Sequence, residues 1–201
     1  MNDVIVYESG HGLYINLTNR CPNDCVFCIR KKTSGINAGE SLWLEKEPTY
    51  DEIITAISKK LGSEYNEIVF CGFGEPTERL DELLRVARYV KDTYPSKSVR
   101  LNTNGLSDLI NKRPTAEELS AVIDAVSISL NAANKTDYNE ICRPVFGSES
   151  YGAMLQFAAD CNERIKDVCF TIIDTMCEDE QEQCRELCER LKIRLRIRKS
   201  L

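Results

Sequence analysis

The chain has 201 residues, of which 29% are charged and 42% hydrophobic, with a formal net charge of −6, and these values predict one globular domain over residues 1–201. The acidic balance argues against nucleic-acid binding over the whole surface, and no apolar run approaches the roughly 18 residues that a membrane helix needs. Ten cysteines without a secretory leader predict a cytoplasmic protein with metal ligands and buried thiols rather than disulfides.

Strand-like and helix-like segments alternate along the chain, which is typical of parallel βα units. The pattern predicts six strands, at Leu13–Thr18, Glu67–Cys71, Ser98–Thr103, Ala125–Leu130, Asp167–Ile173 and Ile193–Arg198. It predicts five helices, at Thr49–Leu61, Arg79–Thr93, Thr115–Ile123, Tyr151–Ile165 and Glu178–Leu191. Thr49, followed by Glu52, resembles a capping box, and the polar stretch Lys31–Glu47 is predicted to be a long loop.

Several predicted strands alternate apolar and polar residues, as Val126 and Ile128 do with Ser127 and Ser129. Because helices need an apolar surface, we expect the apolar faces to lie beneath the helices and the polar faces to surround a common interior. A polar interior indicates a ligand cavity, since unpaired polar groups are costly in a dry core. Six strands around it would form a partial (β/α)6 TIM-like barrel, open on one side, with its site at the carboxyl ends of the strands.

Three cysteines, Cys21, Cys25 and Cys28, follow the first predicted strand within a single short loop. Thiolates suit iron–sulfur clusters or zinc. A cubane cluster needs four ligands, so three cysteines would leave one iron free for another molecule. A zinc site would need a fourth ligand, either the only histidine, His11, or another thiol such as Cys71.

The Cys-x3-Cys-x2-Cys spacing, with Phe27 before the last cysteine, resembles the signature of radical S-adenosylmethionine (SAM) enzymes. Two other segments resemble motifs of that family, Phe70-Cys71-Gly72-Phe73-Gly74-Glu75-Pro76-Thr77 and Leu101-Asn102-Thr103-Asn104-Gly105. The resemblance covers roughly residues 10–200 and is greatest to radical SAM proteins associated with TatD-family hydrolases. It implies a partial barrel and a [4Fe–4S] cluster on the three cysteines, in a cluster loop over residues 19–47, with SAM on the open iron.

The resemblance also implies a set of SAM-binding residues: Phe27, Gly72, Phe73, Gly74, Glu75, Asn102, Thr103, Asn104, Ser129 and Asn131. The glycine-rich turn would meet the amino group of SAM, and the Glu75 carboxylate suits an ammonium. The ends of the third and fourth strands would meet the ribose or the methionine carboxylate, and Phe27 the adenine. The alternatives are turn formation for the glycines and Asn104, and core packing for Phe27. Phe73 departs from the family pattern, because it stands where the family has a glycine.

The arginines of the last predicted strand, Arg194, Arg196 and Arg198, have two interpretations. On an edge strand they discourage pairing with another chain. If they reach the cavity, with Arg100 and Arg143, they favour an anionic substrate. Cys177, Cys184 and Cys188 are weak candidates for an auxiliary cluster; they and Cys142, Cys161 and Cys169 are otherwise expected to be buried thiols.

The resemblance implies an enzyme that cleaves SAM reductively to a 5′-deoxyadenosyl radical, which abstracts hydrogen from an unidentified substrate. It requires an external one-electron reductant and assigns no acid–base catalytic residue. Two alternatives stay open, a glycyl-radical activase for a partner protein and a non-catalytic iron–sulfur electron carrier or sensor. A second subunit in a homodimer, a protein substrate or a large nucleic acid are candidates for closing the barrel, and a TatD-family hydrolase is a candidate functional partner.

Overall fold

The computed structural model describes residues 4–33, 35 and 41–199. Within these ranges seven strands form one open sheet whose spatial order follows the chain. The strands are β1 (Val6–Ser9), β2 (Gly12–Ile15), β3 (Glu67–Phe70), β4 (Ser98–Thr103), β5 (Ala125–Ser129), β6 (Asp167–Ile173) and β7 (Arg194–Arg198). Strand β1 pairs antiparallel with β2, and β2 to β7 are parallel, as expected for a partial TIM-like barrel.

Helices connect the parallel strands throughout the described part of the chain. They are α1 (Tyr50–Lys60), α2 (Leu80–Thr93), α3 (Ser107–Asn111), α4 (Ala116–Ser120), α5 (Lys135–Cys142), α6 (Ser150–Arg164) and α7 (Glu178–Leu191). Short 3₁₀ turns occupy Ile29–Lys31, Pro76–Arg79 and Gly147–Glu149. The capping box predicted for α1 is confirmed, because the Thr49 side chain accepts from the Glu52 N–H and Glu52 accepts from the Thr49 N–H.

All six predicted strands and five predicted helices are present, but three elements were not predicted. Strand β1 forms a hairpin with β2 through a turn in which Gly10 has a φ of +57°. Helices α3 and α5 are short. The sequence feature that marks the start of α5 is Asn134, whose side chain accepts from the Asp137 N–H and caps the helix. The helix predicted over Thr115–Ile123 is limited to α4, and the first predicted strand ends at Ile15 instead of Thr18.

The two faces of the sheet differ in polarity as the alternation predicted. The apolar face packs beneath the helices in one core, where residues such as Ile68, Leu101, Val126 and Phe170 are fully buried. The other face carries Asn, Ser, Thr, Cys and Arg side chains, several of which line an interior cavity. No described helix is long and apolar enough to span a membrane.

Candidate cofactor site

A polar cavity of about 160 Å³ lies at the carboxyl ends of β3, β4 and β5. Seven of the ten residues predicted to bind SAM line it: Gly72, Gly74, Glu75, Asn102, Thr103, Asn104 and Ser129. Cys21, the first cysteine of the loop, lines the same cavity. The fold thus brings together segments that are separated by up to about a hundred residues in sequence, at the edge where parallel-strand folds place their sites.

The turn after β3 needs glycines because the chain that follows β2 passes very close to it. A Cβ atom on Gly74 would collide with the carbonyl oxygens of Thr18 and Arg20, and one on Gly72 would collide with the Asn16 side chain. The Glu75 N–H donates to the Arg20 carbonyl oxygen at 2.8 Å. The turn after β3 therefore packs directly on the chain that leads into Cys21, and only glycine fits at this contact.

The Glu75 carboxylate is buried and accepts four hydrogen bonds from the protein itself. Its Oε1 accepts from the Thr77 N–H at 3.1 Å and from the hydroxyls of Thr77 and Thr103, each at 2.8 Å. Its Oε2 accepts from the Asn104 N–H at 2.7 Å. Burial raises the pKa of Glu75 above its ordinary value, and these hydrogen bonds oppose that shift. The carboxylate thus joins the turn after β3 to the end of β4, and its acceptor positions are largely occupied by protein donors.

A second polar contact fixes both ends of the predicted cluster loop. The Arg20 Nε donates to the Glu47 carboxylate at 2.7 Å, and the Thr18 hydroxyl donates to the same oxygen at 2.6 Å. The Arg20 Nη1 donates to Glu78 at 3.1 Å. Burial alone would raise the pKa of Glu47, but these hydrogen bonds outweigh it and lower the pKa. Part of the loop, residues 34 and 36–40, lies outside the described residues.

Cys21, Cys25 and Cys28 are partly exposed free thiols on one loop. Among the described residues, no three Cys, His, Asp or Glu side chains form a preformed metal-binding group. Burial, with a contribution from the Glu75 charge, raises the pKa of Cys21 to about 12. The positive charge of a bound metal would favour the thiolate form of Cys21.

Cys142, in α5, contacts the cysteine loop and was predicted only as a buried thiol. Its hydrogen bond with Cys25, followed by burial, raises the pKa of Cys25. The Asn131 Nδ2 donates to the Cys142 sulfur at 3.4 Å. His11, which was considered as a zinc ligand, lies in the turn between β1 and β2. Of the thiols, Cys71 lines the polar cavity with Cys21, and Cys142 contacts Cys25.

A second cavity, of about 240 Å³ and mainly apolar, lies on the other side of the end of β5. Phe27 and Asn131 line it, together with Val26, Ile141 and Met176. Nine of the ten predicted SAM-binding residues therefore line one of two cavities, a polar one that suits the methionine of SAM and an apolar one that suits its adenine.

Two buried acceptors in these cavities lack a partner among the described residues, and both are suited to a bound polar ligand. They are the Oδ1 atoms of Asn102, in the polar cavity, and of Asn131, in the apolar one. A buried acceptor without a donor is costly, so the molecule that fills each cavity is expected to donate to it. The residues present therefore fit SAM, and the three thiols fit an iron–sulfur cluster.

Phe73 differs from its predicted role, because its side chain lines neither cavity. It is buried in a separate apolar cluster with Tyr7 and Leu42, and its ring meets that of Trp43 edge-on at a centroid distance of 5.2 Å. The side chain thus packs against the later part of the cluster loop. Only its main chain remains available to SAM.

The remaining arginines and cysteines proposed from the sequence differ in whether they reach a cavity. Arg196 and Arg198 line the polar cavity, whereas Arg143 is exposed at the end of α5 and lines neither cavity. The predicted auxiliary-cluster cysteines are not brought together: Cys177 is exposed at the start of α7, and Cys184 and Cys188 are buried in the core. Cys142, Cys161 and Cys169 are buried thiols, as predicted.

A sequence profile described as the Radical SAM superfamily matches residues 15–191. The chain belongs to the radical SAM superfamily. It is therefore an enzyme of the radical SAM class, a family that uses a [4Fe–4S] cluster, SAM and an external reductant.

Curated relatives carry the name of a probable dual-specificity RNA methyltransferase, RlmN. The protein from Prochlorococcus marinus subsp. pastoris is 25% identical over 151 residues, which cover 73% of this chain and 40% of that protein. The protein from Streptococcus gordonii is 26% identical over 203 residues, which cover 94% of this chain and 53% of that protein. The chain thus spans about half the length, or less, of these relatives.

Solved structures share the fold at low sequence identity. A structure described as native anSMEcpe with bound AdoMet matches with a TM-score of 0.64 and 15% identity, over 94% of this chain and 50% of that chain. A radical SAM methyltransferase from Sphaerobacter thermophilus matches with a TM-score of 0.63 and 14% identity, over 96% of this chain and 68% of that chain.

The close contact at Gly74 predicts that Gly74→Ala lowers the free energy of unfolding by about 1–3 kcal/mol, because its Cβ meets main-chain atoms that cannot move away alone. Denaturant unfolding under reducing conditions measures the change. Gly152→Ala is the matched control: that glycine lies in α6 with nothing within 4 Å of an added Cβ, so the variant should be equally or more stable. Equal stability of both variants would contradict the contact.

The four hydrogen bonds of Glu75 predict that Glu75→Gln is destabilised by about 1–3 kcal/mol. An amide replaces one acceptor oxygen by a donor, so the N–H of either Thr77 or Asn104 loses its buried acceptor. The same unfolding measurement applies, with Glu140→Gln on the exposed face of α5 as control. A Glu75→Gln variant as stable as the control would show that the carboxylate is not needed to join β3 to β4.

Proposed function

We propose that residues 1–201 form one radical SAM core domain that holds a [4Fe–4S] cluster on Cys21, Cys25 and Cys28. The observation that carries this proposal is the polar cavity that Cys21 shares with the turn after β3 and the ends of β4 and β5. When bound there, the cluster passes one electron from an external reductant to SAM, whose sulfonium C–S bond breaks to give methionine and a 5′-deoxyadenosyl radical that takes a hydrogen atom from the substrate.

The protein's part is to hold and orient SAM. The main-chain carbonyls of Gly72, Phe73 and Gly74 are proposed to accept from the SAM ammonium, since the Glu75 carboxylate is already engaged by protein donors. Asn102, Thr103, Asn104 and Ser129 are proposed to meet the ribose and the methionine carboxylate. The unpartnered Asn102 Oδ1 supports this assignment, because it needs a donor.

Adenine is proposed to occupy the apolar cavity against Phe27, with its amino group near the Asn131 Oδ1. That oxygen is buried without a partner among the described residues, while the amide nitrogen of Asn131 is held by Cys142. Asn131 adopts a left-handed conformation with a φ of 60°, which asparagine tolerates better than most residues and which directs the chain across the end of β5.

Methyl transfer is a second candidate reaction, because the curated relatives are named as RNA methyltransferases and one similar structure is a radical SAM methyltransferase. The chain spans only part of those proteins, and its acidic surface is unlike that of a general RNA-binding protein. Methyl-labelled SAM with total RNA tests this candidate: label in RNA would support it.

The remaining alternatives make different predictions about the same preparation. An activase would generate a glycyl radical, visible by electron paramagnetic resonance, only with its partner protein. A carrier or sensor would form a cluster whose spectrum SAM does not perturb. The proposed functional link to a TatD-family hydrolase rests on sequence resemblance alone, and a homodimer is one way to close the open side of the sheet.

The proposed reaction predicts that anaerobically reconstituted protein produces 5′-deoxyadenosine from SAM and dithionite, and that Cys21→Ala reduces this to background. Loss of one of three thiolate ligands should remove the site-differentiated cluster. Liquid chromatography measures the product, and the visible spectrum and iron content report the cluster. Cys177→Ala, at an exposed thiol that lines neither cavity, should leave the yield unchanged.

Cys142→Ala distinguishes the catalytic site from a metal site with four protein ligands. If Cys142 completed a zinc site, the purified protein would contain zinc and the variant would lose it. The proposed function instead expects Cys142→Ala to retain its iron. Wild-type protein that contains only zinc, or that forms a cluster without cleaving SAM, would contradict the proposal.

A further inference from the structure

Four arginines lie on the polar side of the sheet, and two of them are neutralised by neighbouring carboxylates. The Arg100 Nε lies 2.8 Å from Glu67, and the Arg194 Nη2 lies 2.7 Å from Asp167. Both acidic partners are the first residues of their strands, so these pairs lie toward the amino ends. The amino end of the interior is therefore electrically balanced.

Arg196 and Arg198 differ, because neither forms an ion pair with a described carboxylate. Both line the polar cavity at the carboxyl end of the sheet. They are two residues apart on β7, so their side chains leave the strand on the same face as Arg194. The carboxyl end of the interior therefore has two guanidinium groups that no described carboxylate pairs with. Glu75 lines the same cavity, but its carboxylate is engaged by protein donors.

Arg196 has the more constrained environment of the two. Its Nη2 donates to the Ser127 hydroxyl at 3.2 Å, and its Nε is buried without a partner. The Ser127 Oγ also lies within hydrogen-bonding distance of Arg100 and Cys169. The Arg196 Nε–H is thus a buried donor left to donate into the cavity.

Protection of an edge strand does not explain this arrangement. Charged residues that discourage strand pairing act from the exposed surface, and both Arg194 and Arg198 are exposed. Arg196 instead holds a donor atom out of contact with water, which costs free energy unless a ligand accepts from it. A planar guanidinium matches the two oxygens of a carboxylate or phosphate.

We propose that Arg196, Arg198 and Ser127 bind a carboxylate or phosphate group of the substrate, an inference that rests on the proposed function for the identity of the reaction. The group is assigned to the substrate because the carboxylate of SAM already has its proposed partners at the ends of β4 and β5. Ser127 pairs in register with Asn102 of β4, so the anion site adjoins the proposed SAM contacts.

The test uses inorganic phosphate as the probe on anaerobically reconstituted protein, at constant ionic strength set with chloride. Phosphate binding is measured by calorimetry, without SAM and with saturating SAM. Wild type should bind phosphate in both conditions, and Arg196→Gln and Arg198→Gln should each weaken binding about tenfold or more. Arg194→Gln is the matched control, because Arg194 shares the strand and face but is already paired, and it should bind phosphate as wild type does.

Three results would overturn the proposal: no phosphate binding by wild type, equal weakening in Arg194→Gln, or loss of phosphate binding when SAM is present. The last would assign the arginines to the SAM carboxylate. Arg196→Lys is the control for misfolding. It keeps the positive charge, so it should recover part of the phosphate affinity that Arg196→Gln loses. Phosphate binding does not depend on SAM cleavage, so failure of this proposal and failure of the proposed function are separable.

Discussion

The contact between the Gly74 backbone and the carbonyl oxygens of Thr18 and Arg20 is the constraint on which the candidate site depends. It sets where the chain leaves β2, and therefore where Cys21 begins the cluster loop. The Glu75 N–H adds a hydrogen bond to Arg20 at the same place. Because both sides of the contact are main chain, no rotamer change can relieve a larger residue there. The spacing between the cysteine loop and the SAM-binding turn is thus fixed by backbone geometry.

The Glu75 side chain extends this constraint to the next strand. It holds the turn after β3 against Thr103 and Asn104, so the ribose-binding candidates and the glycine turn are positioned together. A buried carboxylate is costly, and four donors offset that cost only when the turn after β3 and the end of β4 are held in one arrangement. The residue thus acts by positioning groups that contact the ligand, which is a different role from direct recognition of an ammonium.

Alternation of polar and apolar residues was sufficient to predict the parallel strands and the polar interior, because burial beneath helices demands a strict period of two. The segment after Ile15 was included in the first predicted strand because it continues the alternation, yet it leaves the sheet to meet Gly72 and Gly74. The alternation of polar and apolar residues does not show where a segment leaves the sheet. Strand β1 was missed because its pairing depends on a hairpin turn at Gly10.

The motifs predicted which segments meet at the site but not how each side chain is used. Phe73 and Glu75 both lie in the predicted turn, yet one packs in a separate apolar cluster and the other binds only protein donors among the described residues. The contact between Cys25 and Cys142 joins a loop to a helix far along the chain, and no spacing rule links them. These roles depend on tertiary contacts, which a single sequence does not specify.

Charge is distributed unevenly between the outside of this protein and its interior. The chain carries 32 acidic and 26 basic residues, so its surface as a whole repels anions. The carboxyl end of the interior has the opposite character, because Arg196 and Arg198 face the cavity without described acidic partners. Salt screens the electrostatic attraction of the two arginines beyond about 8–10 Å, so they attract an anion only over short distances. Selection for an anionic group would therefore occur inside the cavity, by direct hydrogen bonding, rather than during approach. It would also favour a compact anion over a long nucleic acid, whose many phosphates would meet the acidic surface first.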